Sequence, residues 1–166
     1  GLMYMGNTDL EKYTRHVAGQ SFSKKMRNAV VQNIILDNNI FYITELIPEQ
    51  QSGLRNNRKL LHIPPVILLH MLEFLCCRHV DPMKAQVVLS DLKRLIHHDQ
   101  GVSVDTNLQN ISWEILGICQ QIAGNYQAAL YSYQQALKHS GLPKIRSATE
   151  HRIKELQNTI AHCSSF

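Results

Sequence analysis

The sequence predicts an all-α fold in which antiparallel helical hairpins stack on one another and a final helix caps the stack. Apolar residues recur at intervals of three and four along most of the 166 residues, as on the buried face of an amphipathic helix. Prolines or capping boxes stand at the start of several of these segments, and short turns separate them. We expect one all-helical domain over residues 1–166, cut from a longer protein.

The N-terminal helices are predicted over residues 8–47. A capping box at residues 8–11 starts a first helix, which ends before Gly19. A second helix carries Ile34 on its apolar face and ends in the turn-forming cluster at residues 37–39. This part of the chain is therefore expected to be helical.

Residues 40–47 are ambiguous between helix and strand. Isoleucines recur there at helical spacing until Pro48, whereas residues 40–44 have the composition of a strand. We interpret the segment as a helix, because the sequence offers no second strand to pair with it. The polar residues 49–59, with Gly53 in the middle, are predicted to form a mobile loop.

A first helical hairpin is predicted over residues 64–98. Pro65 opens a helix that stays strongly apolar through Cys77, so we expect this helix to be buried on most sides. Pro82 follows an aspartate that can cap a helix, and the pattern continues to about Ile96. The polar residues that follow predict a connection.

A second hairpin is predicted over residues 111–139. Its helices, at about 111–123 and 126–138, are joined by a turn at Gly124, which suits the left-handed residue that ends a helix. Gly117 has no side chain, so the two helices can approach closely.

A capping helix is predicted over residues 147–162, where a capping box precedes a regular apolar pattern. Ile153, Leu156 and Ile160 are expected to face inward. The residues expected to face solvent are His151, Arg152, Lys154 and Glu155.

The segment 111–139 has a characteristic series of large and small residues: Trp113, Leu116, Gly117, Gly124, Tyr126, Ala129, Tyr133 and Ala136. In this series it resembles one repeat of the tetratricopeptide (TPR) family, and residues 64–98 resemble a second repeat weakly. It implies that the first helix of each hairpin lines a concave groove that receives a partner peptide.

The resemblance also implies which residues line this groove. They are His70, Phe74, Arg78, Glu114, Ile118 and Gln121. Glu114 would repel a carboxylate, which disfavours the acidic chaperone tails that some TPR domains bind and favours an apolar or mixed peptide. The alternative is that Phe74 and Ile118 pack against the chain's own N-terminal helices.

We therefore expect a non-enzymatic protein–protein interaction module, an adaptor or scaffold subunit of a larger complex, with no catalytic residues and no cofactor. One alternative is a nucleic-acid-binding domain that uses the basic residues Arg55, Arg58 and Lys59. A second is a ribonuclease, because Arg55 and His62 are similar to the arginine–histidine signature of helical HEPN ribonucleases. In that family both residues lie on one helix.

The cysteine content and spacing bear on whether the protein has disulfides or a metal site. Four cysteines, two of them adjacent, do not form a disulfide framework, so we expect reduced thiols and a cytoplasmic or nuclear protein. His70, Cys76, Cys77 and His79 suggest a metal site, but buried cysteines beside edge histidines fit the spacing better. We expect no metal.

No secretory signal or membrane-spanning run is apparent in the sequence. The net charge of +4 is too small to predict nucleic-acid binding by itself.

Overall fold

A computed structural model describes residues 34–37, 41, 43–55, 60–98, 106–138 and 145–163. These residues form a mostly α-helical structure, as predicted, in which helices that follow one another in sequence pack together. The first predicted N-terminal helix lies outside the described residues. The elements are β1 (Ile34–Asp37), a 3-10 turn (Thr44–Leu46), α1 (Ile47–Arg55), β2 (Leu60–Ile63), α2 (Pro65–Cys77), α3 (Pro82–His98), α4 (Thr106–Ile122), α5 (Tyr126–Lys138) and α6 (Arg146–Cys163).

Helices α2 and α3 form the first hairpin, with the starts that the prolines predict. Asp81 caps α3, because its Oδ1 accepts a hydrogen bond from the backbone N–H of Lys84 at 2.9 Å. The exposure of α2 is a correction to the prediction that it is buried on most sides. Leu69 is 61% exposed and Leu72 is 40% exposed, because only one face of this helix packs on its neighbours.

Helices α4 and α5 form the second hairpin, and its turn has the predicted chemistry. Gly124 has a φ of 79°, and its N–H donates to the carbonyl of Gln121 while that of Asn125 donates to Gln120. This pair of bonds is the Schellman arrangement that ends a helix with a left-handed glycine. Helix α4 begins at Thr106, earlier than predicted, so the polar sequence before Ile111 is partly helical rather than a connection.

The predicted close approach within this hairpin is confirmed. A Cβ atom on Gly117 would lie 2.5 Å from Cε1 of Tyr133, and the Tyr133 side chain is fully buried. Ala129 is buried as well. The glycine at position 117 therefore makes room for the tyrosine ring.

Helix α6 packs on α5 and α1 and covers the end of the described structure. Leu156 is buried, and Ile153 and Ile160 pack against the core as predicted. The prediction for Arg152 is wrong. Its side chain is only 14% exposed because it forms ion pairs with buried carboxylates.

A two-stranded antiparallel ribbon is the main departure from the predicted all-helical fold. Strand β1 pairs with β2, with Leu36 opposite Leu61 and Ile35 opposite His62. Leu36 and Leu61 are buried, while Ile35 is exposed on the other face. The predicted helix through Ile34 is therefore wrong at its C-terminal end, because a pairing strand lies further along the chain.

The segment between the strands also differs from its prediction. Residues 44–46 form a 3-10 turn, and α1 starts at Ile47 and continues past Pro48 to Arg55. Proline is tolerated there because the first turn of a helix has no N–H partners to lose. Residues 49–55 are thus helix rather than loop.

The core contains the buried apolar side chains of both hairpins together with Leu36, Leu61 and Leu46. In the described parts of the chain, the helices are too short or too polar to cross a membrane. All the described residues belong to one compact unit, Asn33–Phe166.

Candidate functional site

Two adjoining cavities form a groove beside the C-terminal ends of α2 and α4. The first has a volume of about 450 Å³ and the second about 210 Å³. Ile122 lines both of them, so the two cavities lie side by side at the C-terminal end of α4. We call these two cavities together the groove.

The first cavity lies between α4, α6 and the segment at residues 44–48. Polar and charged side chains dominate its lining, which includes Thr44, Glu45, Gln121, Tyr126 and Arg152. The second cavity lies between the two hairpins and is more apolar. Its lining includes Phe74, Arg78, His79, Ala85 and Ala123.

The structure separates the six predicted partner-binding residues into two sets. Phe74, Glu114 and Ile118 are buried, whereas His70, Arg78 and Gln121 are partly exposed.

Four of the six contribute to the groove. Phe74 and Arg78 line the second cavity, and Ile118 and Gln121 line the first. The ring nitrogen Nδ1 of His70 lies 2.8 Å from the carbonyl oxygen of Val66 on its own helix. Phe74 and Ile118 belong to the hydrophobic core. Thr44, Glu45 and Pro48 line the first cavity together with Ile118.

Gln121 is held in place by the second helix of its hairpin. The hydroxyl of Tyr133 donates a hydrogen bond of 2.6 Å to Oε1 of Gln121. At the two preceding positions, Ser132 donates to Oε1 of Gln120 at 2.7 Å. Burial raises the pKa of Tyr133 well above its usual value, so this hydroxyl stays protonated and remains a donor.

A buried charge cluster of Glu49, Glu114, Thr149 and Arg152 lies next to the first cavity and joins α1, α4 and α6. Arg152 donates from Nε to Oε1 of Glu49 at 2.7 Å and from Nη2 to Oε2 of Glu49 at 3.1 Å. Its Nη2 also donates to the backbone carbonyl of Glu45 at 2.6 Å. Thr149 donates to Oε2 of Glu114 at 2.9 Å. Both carboxylates are fully buried.

The guanidinium of Arg152 therefore lies near two carboxyl groups, and it makes hydrogen bonds to Glu49 but only a longer contact to Glu114. Glu114 Oε1 lies 3.6 Å from Arg152 Nε and has no hydrogen-bond partner within the described residues. Burial and the neighbouring charge of Glu49 raise the pKa of Glu114 well above its usual value, against the opposing effect of Arg152. Glu114 therefore keeps its proton to a higher pH than an exposed glutamate does.

Arg152, in contrast to Glu114, is stabilised in its charged form. Burial disfavours its charged form, but the hydrogen bonds and charge of Glu49 outweigh burial and raise the pKa of Arg152 further. Arg152 therefore stays charged, and its hydrogen bonds to Glu49 hold α6 against α1. Sequence inspection missed this cluster, although a glutamate on the apolar face of α4 is a signal that a buried partner is needed.

A second, longer ion pair joins the C-terminal end of α2 to the 3-10 turn. Arg78 Nη2 lies 3.8 Å from Oε1 of Glu45, and Arg78 Nε is buried without a hydrogen-bond partner among the described residues. Cys119 is buried near this pair. Burial, followed by the charge of Glu45, raises the pKa of the Cys119 thiol to about 12, so the thiol is neutral and a poor nucleophile at physiological pH.

The histidines and cysteines do not form a metal site within the described residues, where no three His, Cys, Asp or Glu side chains are placed to hold an ion. Cys76 is exposed and Cys77 is half-buried, so the expectation of buried cysteines is wrong for Cys76. His97 instead contacts the edge of the Trp113 ring, with centroids 5.0 Å apart.

The predicted basic surface is described only at Arg55, which ends α1; Arg58 and Lys59 lie outside the described residues. His62 lies on β2. The arginine and histidine of the ribonuclease signature therefore occupy a helix and a strand, not the single helix that the signature requires.

The described residues thus form packed helix pairs with a groove beside them. No family model matches this chain, and neither does any curated protein or solved structure. Any account of its function rests on the groove and the residues that line it.

Proposed function

We propose that this chain is a non-enzymatic protein–protein interaction module, an adaptor or scaffold subunit that docks a partner peptide in the groove. The observation that carries the proposal is that a mainly polar cavity and a more apolar cavity adjoin at Ile122. Neighbouring cavities of different polarity suit successive side chains of a peptide better than one small molecule.

The order of the helices supports the proposal. The groove lies at the C-terminal ends of α2 and α4, which are the first helices of the two hairpins. Together with the Trp113-containing repeat pattern, this arrangement fits a TPR-like stack, whose first helices line the binding surface. We include that family resemblance in the proposal.

The burial of Glu114 and Ile118 changes which part of the surface a partner would use. Because Ile118 and Glu114 are both almost fully buried, a partner would contact the more exposed part of the groove. This part includes Gln121, Ile122 and Arg78. We therefore expect substitutions at Glu114 to act on stability first.

The experiment compares capture of partner proteins by the wild-type chain and by Ile122→Glu. A carboxylate at the shared floor of both cavities should abolish capture, while the helical content measured by circular dichroism stays near normal. The matched control is Val87→Glu, which places the same side chain on the outer face of α3 at a residue that is already exposed. Equal capture by both variants would contradict the proposal.

A salt titration of the captured complex tests the nucleic-acid alternative. Contacts to many phosphates make affinity fall steeply with salt concentration, whereas a peptide that makes few ionic contacts loses affinity only gradually. Capture that survives high salt and nuclease treatment supports a protein partner.

A further inference from the structure

We infer that the groove recognises an acidic–apolar peptide, with an apolar side chain in the second cavity and a side-chain carboxylate on Arg78. This inference rests on the proposed function and adds the chemistry of the partner. Three features of the described residues support it: the lining of the second cavity, the state of Arg78, and the position of Glu45.

The second cavity combines an apolar floor with a basic rim. Phe74, Ala85 and Ile122 contribute to the floor. Among the described residues that line the cavity, Arg78 and His79 are basic and none is acidic. A volume of about 210 Å³ is enough for one branched or aromatic side chain. Charge complementarity therefore favours a peptide that carries carboxylates next to its apolar residue.

Arg78 is incompletely paired. Its side chain is 32% exposed, and its distance of 3.8 Å to Glu45 is longer than a hydrogen bond. The buried Nε has no partner within the described residues. The exposed part of this guanidinium, whose contact to Glu45 is long, can accept a new carboxylate partner, and carboxylates bind arginine best through two parallel hydrogen bonds.

Glu45 is an internal competitor for Arg78. Glu45 lies on the 3-10 turn and lines the first cavity, and its backbone carbonyl accepts a hydrogen bond from Arg152. The backbone is therefore anchored independently of the side chain. A partner carboxylate replaces a weak internal contact rather than a strong one, and the cost of the exchange is small.

The test uses fluorescence anisotropy with labelled short peptides that are blocked at both ends. One set has Leu, Ile, Met or Phe at the centre and Asp or Glu on both sides; the matched set has Asn or Gln in place of the acids. An RNA oligonucleotide is the third probe. Blocking the ends restricts the carboxylates to side chains.

The expected result is that the acidic set binds the wild-type chain and the amide set binds at least tenfold more weakly. Arg78→Gln should weaken binding of the acidic set about tenfold, as for the loss of one charge-assisted contact. Glu45→Gln should tighten it several-fold, because it removes the competitor while leaving the backbone contact to Arg152. Arg94→Gln is the control, since it breaks an exposed pair with Asp91 on α3 and should change nothing.

A purely structural role for the Arg78–Glu45 pair predicts that neither variant changes affinity beyond its effect on folding. That result would overturn the inference. So would equal binding of both peptide sets, no binding of either, or binding of RNA alone. If Arg78→Gln does not fold, the Glu45→Gln variant provides the test: a higher affinity for the acidic peptides supports the inference, and an unchanged affinity overturns it. Partner capture that depends on Ile122 would keep the proposed function even if the acidic set fails.

Discussion

The α4–α5 hairpin and the segment from β1 to β2 are organised by different kinds of contact. In the hairpin, the turn bonds and the Tyr133–Gln121 hydrogen bond join residues close in sequence. In the segment from β1 to β2, Glu49 is paired with Arg152, 103 residues away. The hairpin is thus specified by nearby residues, whereas the other region depends on a distant helix.

The largest expected effect is in the long-range region. Arg152→Ala leaves two buried carboxyl groups without their cation and should lower the free energy of unfolding by about 3–5 kcal/mol. Urea denaturation followed by circular dichroism measures this change. Arg146→Ala is the control, because its pair with Glu150 is exposed and should contribute less than about 1 kcal/mol. Similar losses in both variants would mean that burial does not distinguish the two pairs.

A smaller loss is expected within the hairpin from Gly117→Ala. The added methyl group would collide with the buried ring of Tyr133, and overpacking of this kind costs about 1–3 kcal/mol. Thermal unfolding compares it with Gly124→Ala, which meets no neighbouring atom but has a left-handed φ and should cost about 1–2 kcal/mol. A stabilised Gly117→Ala variant would show that the ring can move.

The pH dependence of the free energy of unfolding tests the raised pKa of Glu114 in the buried charge cluster. Because the pKa of Glu114 is raised in the folded state, the folded chain keeps a proton that the unfolded chain loses above its ordinary pKa. The free energy of unfolding should therefore fall as the pH rises from the unfolded pKa of Glu114 to the folded one.

Glu114→Gln resembles the protonated acid and should remove this decline. The difference in the free energy of unfolding between the variant and the wild type should therefore grow with pH, in favour of the variant. Denaturation curves across this range provide the measurement. Glu155→Gln, at an exposed position on α6, is the control and should keep the wild-type slope. An unchanged slope in Glu114→Gln would assign the titration to another group.

The smallest effect is expected from Tyr133→Phe. It removes one partly buried hydrogen bond, worth about 0.5–1.5 kcal/mol, and leaves the ring that fills the space beside Gly117. Chemical denaturation should detect the loss. A cost as large as that of Arg152→Ala would mean that the two regions are coupled more strongly than their contacts indicate.

The same comparison explains what sequence reasoning found and what it missed. Periodicity and capping residues predict α2, α3 and α5 closely because Pro65, Pro82 and Gly124 act on their own backbone. The pairing of Ile34–Asp37 with Leu60–Ile63 has no such local signal. A strand forms there only because the two segments meet in space.

The candidate site was predictable to a similar degree. The helical-repeat pattern predicts Arg78 and Gln121, which line the two cavities, but it does not predict that Ile118 is almost fully buried. Arg152 was expected in solvent because arginine usually is. Its buried role depends on Glu49, in a stretch whose polar composition suggests a loop.

The pairing of Glu49 with Arg152 also has a consequence for synthesis on the ribosome. Glu49 is made 103 residues before its partner, which corresponds to roughly 5–20 seconds of translation at ordinary rates. During that interval the carboxylate has to stay hydrated, so the early segment cannot settle into its final packing. Only when α6 emerges from the exit tunnel does the nascent chain gain the cation that lets this segment close.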